Sequence, residues 1–298
     1  MSYQKPDQAY INYNVYSWGR LEQHYRGPKP LMTEPYIACL GGAQTFGRYT
    51  THPFPALLED MLGMEVANFG TGGAGPGFFL RDSTVMEAAC NAEVCVVQVM
   101  SARSLSNRLF KVKADRNAQI KAVSKALEDL FPHIDFETFT YAHNMLNQIE
   151  ENDPQRFEEV EMELKTAWVA RTRLLLESIH TKKILFWFSE RAPDADIGHT
   201  ENRAALKYPQ FVDDRMLEAV SPYTDKIVHC VSDEGLPQSL LIDGEAVLQT
   251  PYGMPVAENR YYPSPEMHCH AAETLARPIY DLIRSDAEPV HARSNVNI

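Results

Sequence analysis

No run of apolar residues in this 298-residue chain approaches the ~20 that a bilayer-spanning helix needs, so a transmembrane protein is not expected. Positive charge is also short. The chain holds 28 Lys and Arg against 40 Asp and Glu, a net charge of −12. Nucleic-acid affinity rests on clustered cations that neutralise phosphates, and this balance excludes such binding as the main task. Cysteine is sparse: Cys39, Cys90, Cys95, Cys230 and Cys269 are odd in number and far apart. That excludes a disulfide-stapled scaffold and suits reduced core thiols in a cytoplasmic protein. The first residues, Met1–Asp7, lack the apolar stretch of a secretory leader, and none is expected. Internal repeats are absent.

What remains is ordinary globular material, 44% apolar and 23% charged. Residues 1–34, rich in Tyr, Asn, Gln and Pro, read as an N-terminal arm that packs on the domain through Tyr10, Tyr13, Tyr16 and Trp18. From 35 to 284, strands and helices alternate. Strands are expected at Tyr36–Leu40, Val66–Phe69, Val94–Met100, Ile184–Phe188 and Ile227–Val231. Helices are expected at Pro55–Leu62, from Gly77 to Cys90, and over Asn117–Leu130, Pro154–His180 and Ala271–Ile283. Such alternation implies an α/β fold, a parallel sheet between helical layers. The near-continuous apolar run Val94–Met100 fits a central strand covered on both faces. The stretch 104–181 is too long for a plain crossover. It is expected as a helical insertion that either caps the sheet's C-terminal edge, where ligands of such sheets bind, or pairs two copies as a homo-oligomer arm. The tail 285–298 is polar and expected to be disordered.

Two glycine turns carry the chemistry. In Cys39-Leu40-Gly41-Gly42-Ala43-Gln44-Thr45-Phe46-Gly47 a buried strand ends in a sharp polar corner. In Val66-Ala67-Asn68-Phe69-Gly70-Thr71-Gly72-Gly73 a second strand runs into a glycine loop. Together they resemble the first two sequence blocks of the SGNH (GDSL-type) hydrolases, Gly-Asp-Ser and Asn-x-Gly-x-x-Gly. Asn68, Gly70 and Gly73 match the second block in full. In the first, Gly42 stands where the Asp belongs and Ala43 where the nucleophilic Ser belongs, with Gln44 and Thr45 continuing the turn. A methyl group cannot attack an acyl carbon. The resemblance implies a three-layer flavodoxin-like sandwich with a central parallel sheet of about five strands in the order 2-1-3-4-5. It also implies an oxyanion-binding amide at Gly73 and a turn braced by Asn68.

The same resemblance implies an Asn after the third strand and an Asp-x-x-His block before the last helix. Arg103, in Ser101-Ala102-Arg103-Ser104, takes the place of that Asn, and Asn107 lies one helical turn further on. A guanidinium there suits an anionic ligand. In Ser264-Pro265-Glu266-Met267-His268-Cys269-His270, His268 matches the catalytic His, but Pro265 stands three residues before it instead of Asp. The expected site therefore has His268 as base, with Gly42, Ala43, Gln44, Thr45, Asn68, Gly73, Arg103, Ser104 and Asn107 around the ligand. Thr45 and Ser104 lie near strand ends, though Thr45 comes two positions late for the nucleophile. Cys269 could serve only if exposed and paired with a base. His268-x-His270 has no patterned carboxylate or thiol partners, so neither a metal nor a cofactor is expected. Arg191 and Asp233, after the fourth and fifth strands, are further candidates for a pocket wall.

Three functions compete. The first is an SGNH-like protein with a degenerate triad that binds or transforms an acylated or glycan-type small molecule, His268 activating water or an acceptor directly. The second is a sulfotransferase-like group transferase with an anionic donor, read from the Gly-Gly turn before Thr45, Arg48 and Arg103. Against it, no Lys or Arg precedes Thr45 in that loop. The third is a non-catalytic binding protein on a decayed hydrolase fold.

Overall fold

The apolar runs become five parallel strands: β1 (Tyr36–Gly41), β2 (Glu65–Gly70), β3 (Val94–Gln98), β4 (Lys182–Ser189) and β5 (Lys226–Val231). The computed structural model describes residues 6–113, 118–195, 207–250 and 253–285. The strands lie in the order β2-β1-β3-β4-β5, the expected 2-1-3-4-5. Every residue of β1 and β3 is buried, which is why their sequences carry no alternation of apolar and polar residues.

Helices cover both faces. On one, α2 (Phe54–Leu62) and α9 (Pro265–Arg284) meet Ile37, Cys39, Val94, Val96, Ile184 and Phe186 with Phe54, Leu58, Ala271, Leu275 and Ile279. The opposite face, carrying Ala38, Leu40, Cys95, Val97 and Leu185, packs on a layer built largely by α4 (Ser83–Asn91) and α7 (Pro154–Ser178), with α6 (Ala142–Asn152) and α8 (Asp214–Val220) against α7. Pro154 opens α7 after an Asp153 cap, a position where its missing N–H costs nothing. Trp168 of α7 is fully buried, and its Nε1 donates to Met100 O at 2.6 Å. The insertion, expected as a cap over the edge or a homo-oligomer arm, supplies a layer of the sandwich, and among its described residues Ala118, Tyr141 and His143 reach that edge.

Two helices differ from the sequence reading. The segment from Gly77 to Cys90 is broken into α3 (Pro76–Phe79) and α4, because the Asp82 carboxylate accepts Thr84 N and Val85 N and starts a new helix. Asp82 also accepts Arg20 N and Leu21 N, which ties down the arm. The second is the helix expected over Asn117–Leu130. Ile120–Val123 instead pairs with Phe110–Val112 as an antiparallel ribbon, and α5 (Lys125–Leu130) begins only after a Ser124 cap. The arm packs as expected, with Trp18 stacked on Phe69 and Tyr13 edge-on to Phe46. Apart from Ser285, the tail lies outside the described residues. None of the described helices is long and apolar enough to cross a membrane.

Candidate functional site

Parallel strands bring all their C-terminal ends to one edge, and there β1, β2 and β3 open into a cavity of about 730 Å³. Gly42, Ala43 and Gln44 border it from the short helix α1 (Ala43–Phe46), Gly72 to Ala74 from the loop after β2, and Ser101 and Arg103 from the turn after β3. The opposite wall comes from far along the chain. Leu248 and Val256 belong to a small ribbon, and Tyr261 and Tyr262 lie just before α9. The arm adds Asp7, and the insertion adds Tyr141 and His143.

Gln98, at the buried end of β3, holds the first corner together. Its Oε1 accepts Gly42 N at 2.9 Å and Thr45 Oγ1 at 2.8 Å, while its Nε2 donates to Tyr208 Oη at 3.2 Å. Asn68 locks the second corner to the first: Nδ2 donates to Thr45 O and Oδ1 accepts Gly70 N, both at 2.9 Å. Gly73 has φ +76°, the left-handed region that favours glycine, and faces the cavity.

The described wall carries two arginines. Arg48 is clamped by Asp7 through Nε to Oδ2 at 2.8 Å and Nη2 to Oδ1 at 2.9 Å, and its Nη1 donates to Tyr262 Oη at 3.0 Å. Burial pulls the Arg48 guanidinium down, but the hydrogen bond and charge of Asp7 outweigh it and hold it above its ordinary value. Arg103 donates to Tyr261 Oη at 3.1 Å. Burial pushes Tyr49 up to about 12 and raises Tyr208 as well, so both phenols remain hydroxyl donors at neutral pH. His143 is held below its ordinary value by burial and then by the charge of Arg103.

Of the residues the sequence singled out, Gly42, Ala43, Gln44, Gly73 and Arg103 meet at the cavity. Thr45 and Asn68 lie beneath it as braces. Asn107 does not reach it; its Oδ1 accepts Leu109 N and Phe110 N in a turn of the insertion. The Ser104 side chain lies outside the described residues. Arg191 also stays away, donating to Pro209 O and Val212 O, and Asp233 does not border the cavity.

His268 is the principal correction. It is 0% exposed, within the first turns of α9, packed between Phe54 and Phe188, and it does not border the cavity. Its Nδ1 accepts Phe54 N at 3.1 Å, so the neutral ring carries its proton on Nε2. A base sealed in this way cannot reach a ligand at the sheet edge. Burial, and then the charge of Arg26, push it down to about 3. The unfolded chain binds this proton near 6.5 and the folded one only near 3, so the stabilisation is whole above 6.5 and drains away as pH falls toward 3. Unfolding free energy should fall by up to ~1.4 kcal/mol per pH unit below 6.5. Urea titrations between pH 6.5 and 5 check this. The slope should shrink in His268→Gln, and a flat profile in the wild type would refute it.

Ser264 caps α9 and Pro265 opens it, so the last helix starts six residues earlier than the sequence suggested. Just before that start, Tyr261 and Tyr262 face the cavity, two and three positions after Asn259. Asn259 Oδ1 accepts Tyr261 N at 3.0 Å and Tyr262 N at 2.9 Å, fixing the loop as an orienting residue would. Ser-Pro-Glu after a tyrosine pair was the available signal for this helix start.

A family model described as a domain of unknown function, DUF6473, matches residues 1–283. The chain belongs to this family. No curated protein matches the DUF6473 chain in sequence. Among solved structures, a carbohydrate esterase family 2 enzyme with a carbohydrate-binding domain, from Corynascus thermopiles (Myceliophthora fergusii), is similar over 88% of this chain and 70% of its own, at 12% identity and TM-score 0.44. A putative acylhydrolase from Bacteroides fragilis is similar over 86% and 92%, at 13% identity and TM-score 0.35. A putative lipolytic protein of the G-D-S-L family from Desulfitobacterium hafniense is similar over 82% and 99%, at 15% identity and TM-score 0.37. The DUF6473 chain itself is an α/β sandwich around a five-stranded parallel sheet in the order 2-1-3-4-5.

Proposed function

We propose that this protein binds a glycan-type small molecule at the sheet edge and does not hydrolyse it through a serine. The observation that carries the reading is that Ala43 lines the cavity where the resemblance puts the nucleophile, while His268, where it puts the base, is sealed in the core away from it. The composition of the wall favours a sugar over a long acyl chain. Tyr49, Tyr141, Tyr208, Tyr261 and Tyr262 offer flat apolar faces and hydroxyls, while Leu248 and Val256 are the large aliphatic residues among the described lining. A phosphosulfate-using transferase is less well supported, because Arg48 already serves Asp7.

Two measurements test the reading. Turnover of p-nitrophenyl acetate should not exceed the buffer rate for the wild type or for Ala43→Ser, since His268, the imidazole matched to the base, is sealed in the core. Calorimetry with glucose and its derivatives should give saturable binding that weakens severalfold in Tyr262→Ala. Ester turnover by the wild type that is lost in Tyr262→Phe would overturn the non-hydrolytic reading. Absence of any sugar binding would overturn the ligand class.

A further inference from the structure

The cavity wall is unevenly charged. Its one described carboxylate, Asp7, is used up by Arg48. Arg103 has no carboxylate partner among the described residues, in a chain where acidic groups outnumber basic ones by 40 to 28. It is half-buried at the mouth of the cavity, and its hydrogen bond goes to the neutral Tyr261 hydroxyl. That hydroxyl also accepts Gln210 Nε2 at 3.0 Å. With two donors pointing at its oxygen, Tyr261 has its own proton left to give to a ligand. Beside Arg103, the Tyr141 and His143 rings lie 5.7 Å apart and tilted by 35°, forming a shelf. The ring of His143 is kept neutral by burial and by Arg103, so it offers one donor and one acceptor rather than a second charge.

Resting on the sugar-binding reading above, we propose that Arg103, Tyr261, Tyr141 and His143 form an anion subsite, and that the ligand is an acidic sugar carrying a single negative charge, a carboxylate or a sulfate ester. One guanidinium balances one charge, and its planar fork can donate to two oxygens of either group. The sugar ring rests on the Tyr141 and His143 shelf, and Tyr261 and His143 bond the oxygens next to the charge. A phosphate dianion would need a second unpaired cation, and the other described arginine on this wall is held by Asp7.

Calorimetry of the full chain with glucose, glucuronic acid and glucose 6-sulfate tests this. Glucuronic acid or glucose 6-sulfate should bind about tenfold or more tighter than glucose, as a charge-assisted hydrogen bond predicts. Whichever is preferred tells carboxylate from sulfate. The preference should vanish in Arg103→Gln while glucose binding persists, and Arg103→Lys should recover part of it. Raising the salt should weaken the acidic sugar and leave glucose unchanged. Equal affinity of the wild type for all three sugars would overturn the subsite and leave the sugar-binding reading standing. Binding of none would overturn both.

Discussion

Gly70→Ala should yield little folded protein. An added Cβ would stand against the backbone nitrogen of Phe46 and within 2.6 Å of the Thr45 carbonyl carbon. Both atoms belong to the backbone of α1, so no side chain can turn aside. Nor can α1 slide away. Gln98 holds its start through Gly42 N, Asn68 holds Thr45 O, and Arg26 donates to Gly47 O at 2.7 Å and to Thr50 O and Thr51 O at 2.8 Å. The loss should exceed the ~1–3 kcal/mol of ordinary overpacking. Gly63→Ala is the control: its φ is +61° but nothing lies within 4 Å, so its cost should stay near ~1–2 kcal/mol. Urea midpoints compare the two. A Gly70→Ala protein as stable as Gly63→Ala would mean that α1 does not press on β2.

Arg48→Ala should cost ~3–5 kcal/mol, because it strands the buried Asp7 carboxylate with no cation beside it. Tyr13 Oη still donates to Asp7 at 2.9 Å, but one neutral donor cannot replace a bidentate guanidinium. The Tyr49 and Tyr262 rings, edge-on to one another and 4.4 and 4.9 Å from that guanidinium, would lose their common partner. Sugar binding should suffer too, since Asp7 and Tyr262 are both in the wall. The double variant Asp7→Asn, Arg48→Met should lose much less, because no buried charge is left over. A thermodynamic cycle over the two positions measures this, and additive losses would refute the pairing.

The sheet was legible because its inner strands are buried on both faces and read as short apolar runs, as in Val94-Cys95-Val96-Val97. The first corner was legible as well, and the structure does gather Gly42, Ala43, Gly73 and Arg103. His268 misled for a physical reason. The apolar period of α9 is plainest from Ala271 onward, so the preceding turn resembled a loop, whereas Ser264 and Pro265 had already started the helix and turned His268 into the core. The ribbon at Phe110–Val112 and Ile120–Val123 was hidden because its stability comes from pairing across a gap, and Lys, Ala and Leu in the region favour a helix locally. The far wall was not readable at all. Arg48 and Tyr262 are 214 positions apart, and only the topology makes them neighbours.

β3 and β4 lie side by side in the sheet, yet residues 99–181 run between them. The first three strands come from one contiguous stretch, 36–98, and can condense early. Joining β4 to β3 must first close a long loop, whose entropic cost is met before any contact rewards it. A chain emerging from the ribosome would thus hold half a sheet while its insertion is still being made. The cavity at the sheet edge comes last of all, since its walls are complete only when Leu248, Val256, Tyr261 and Tyr262 have docked. Partly folded forms of this protein would hold a sheet edge with no cavity on it.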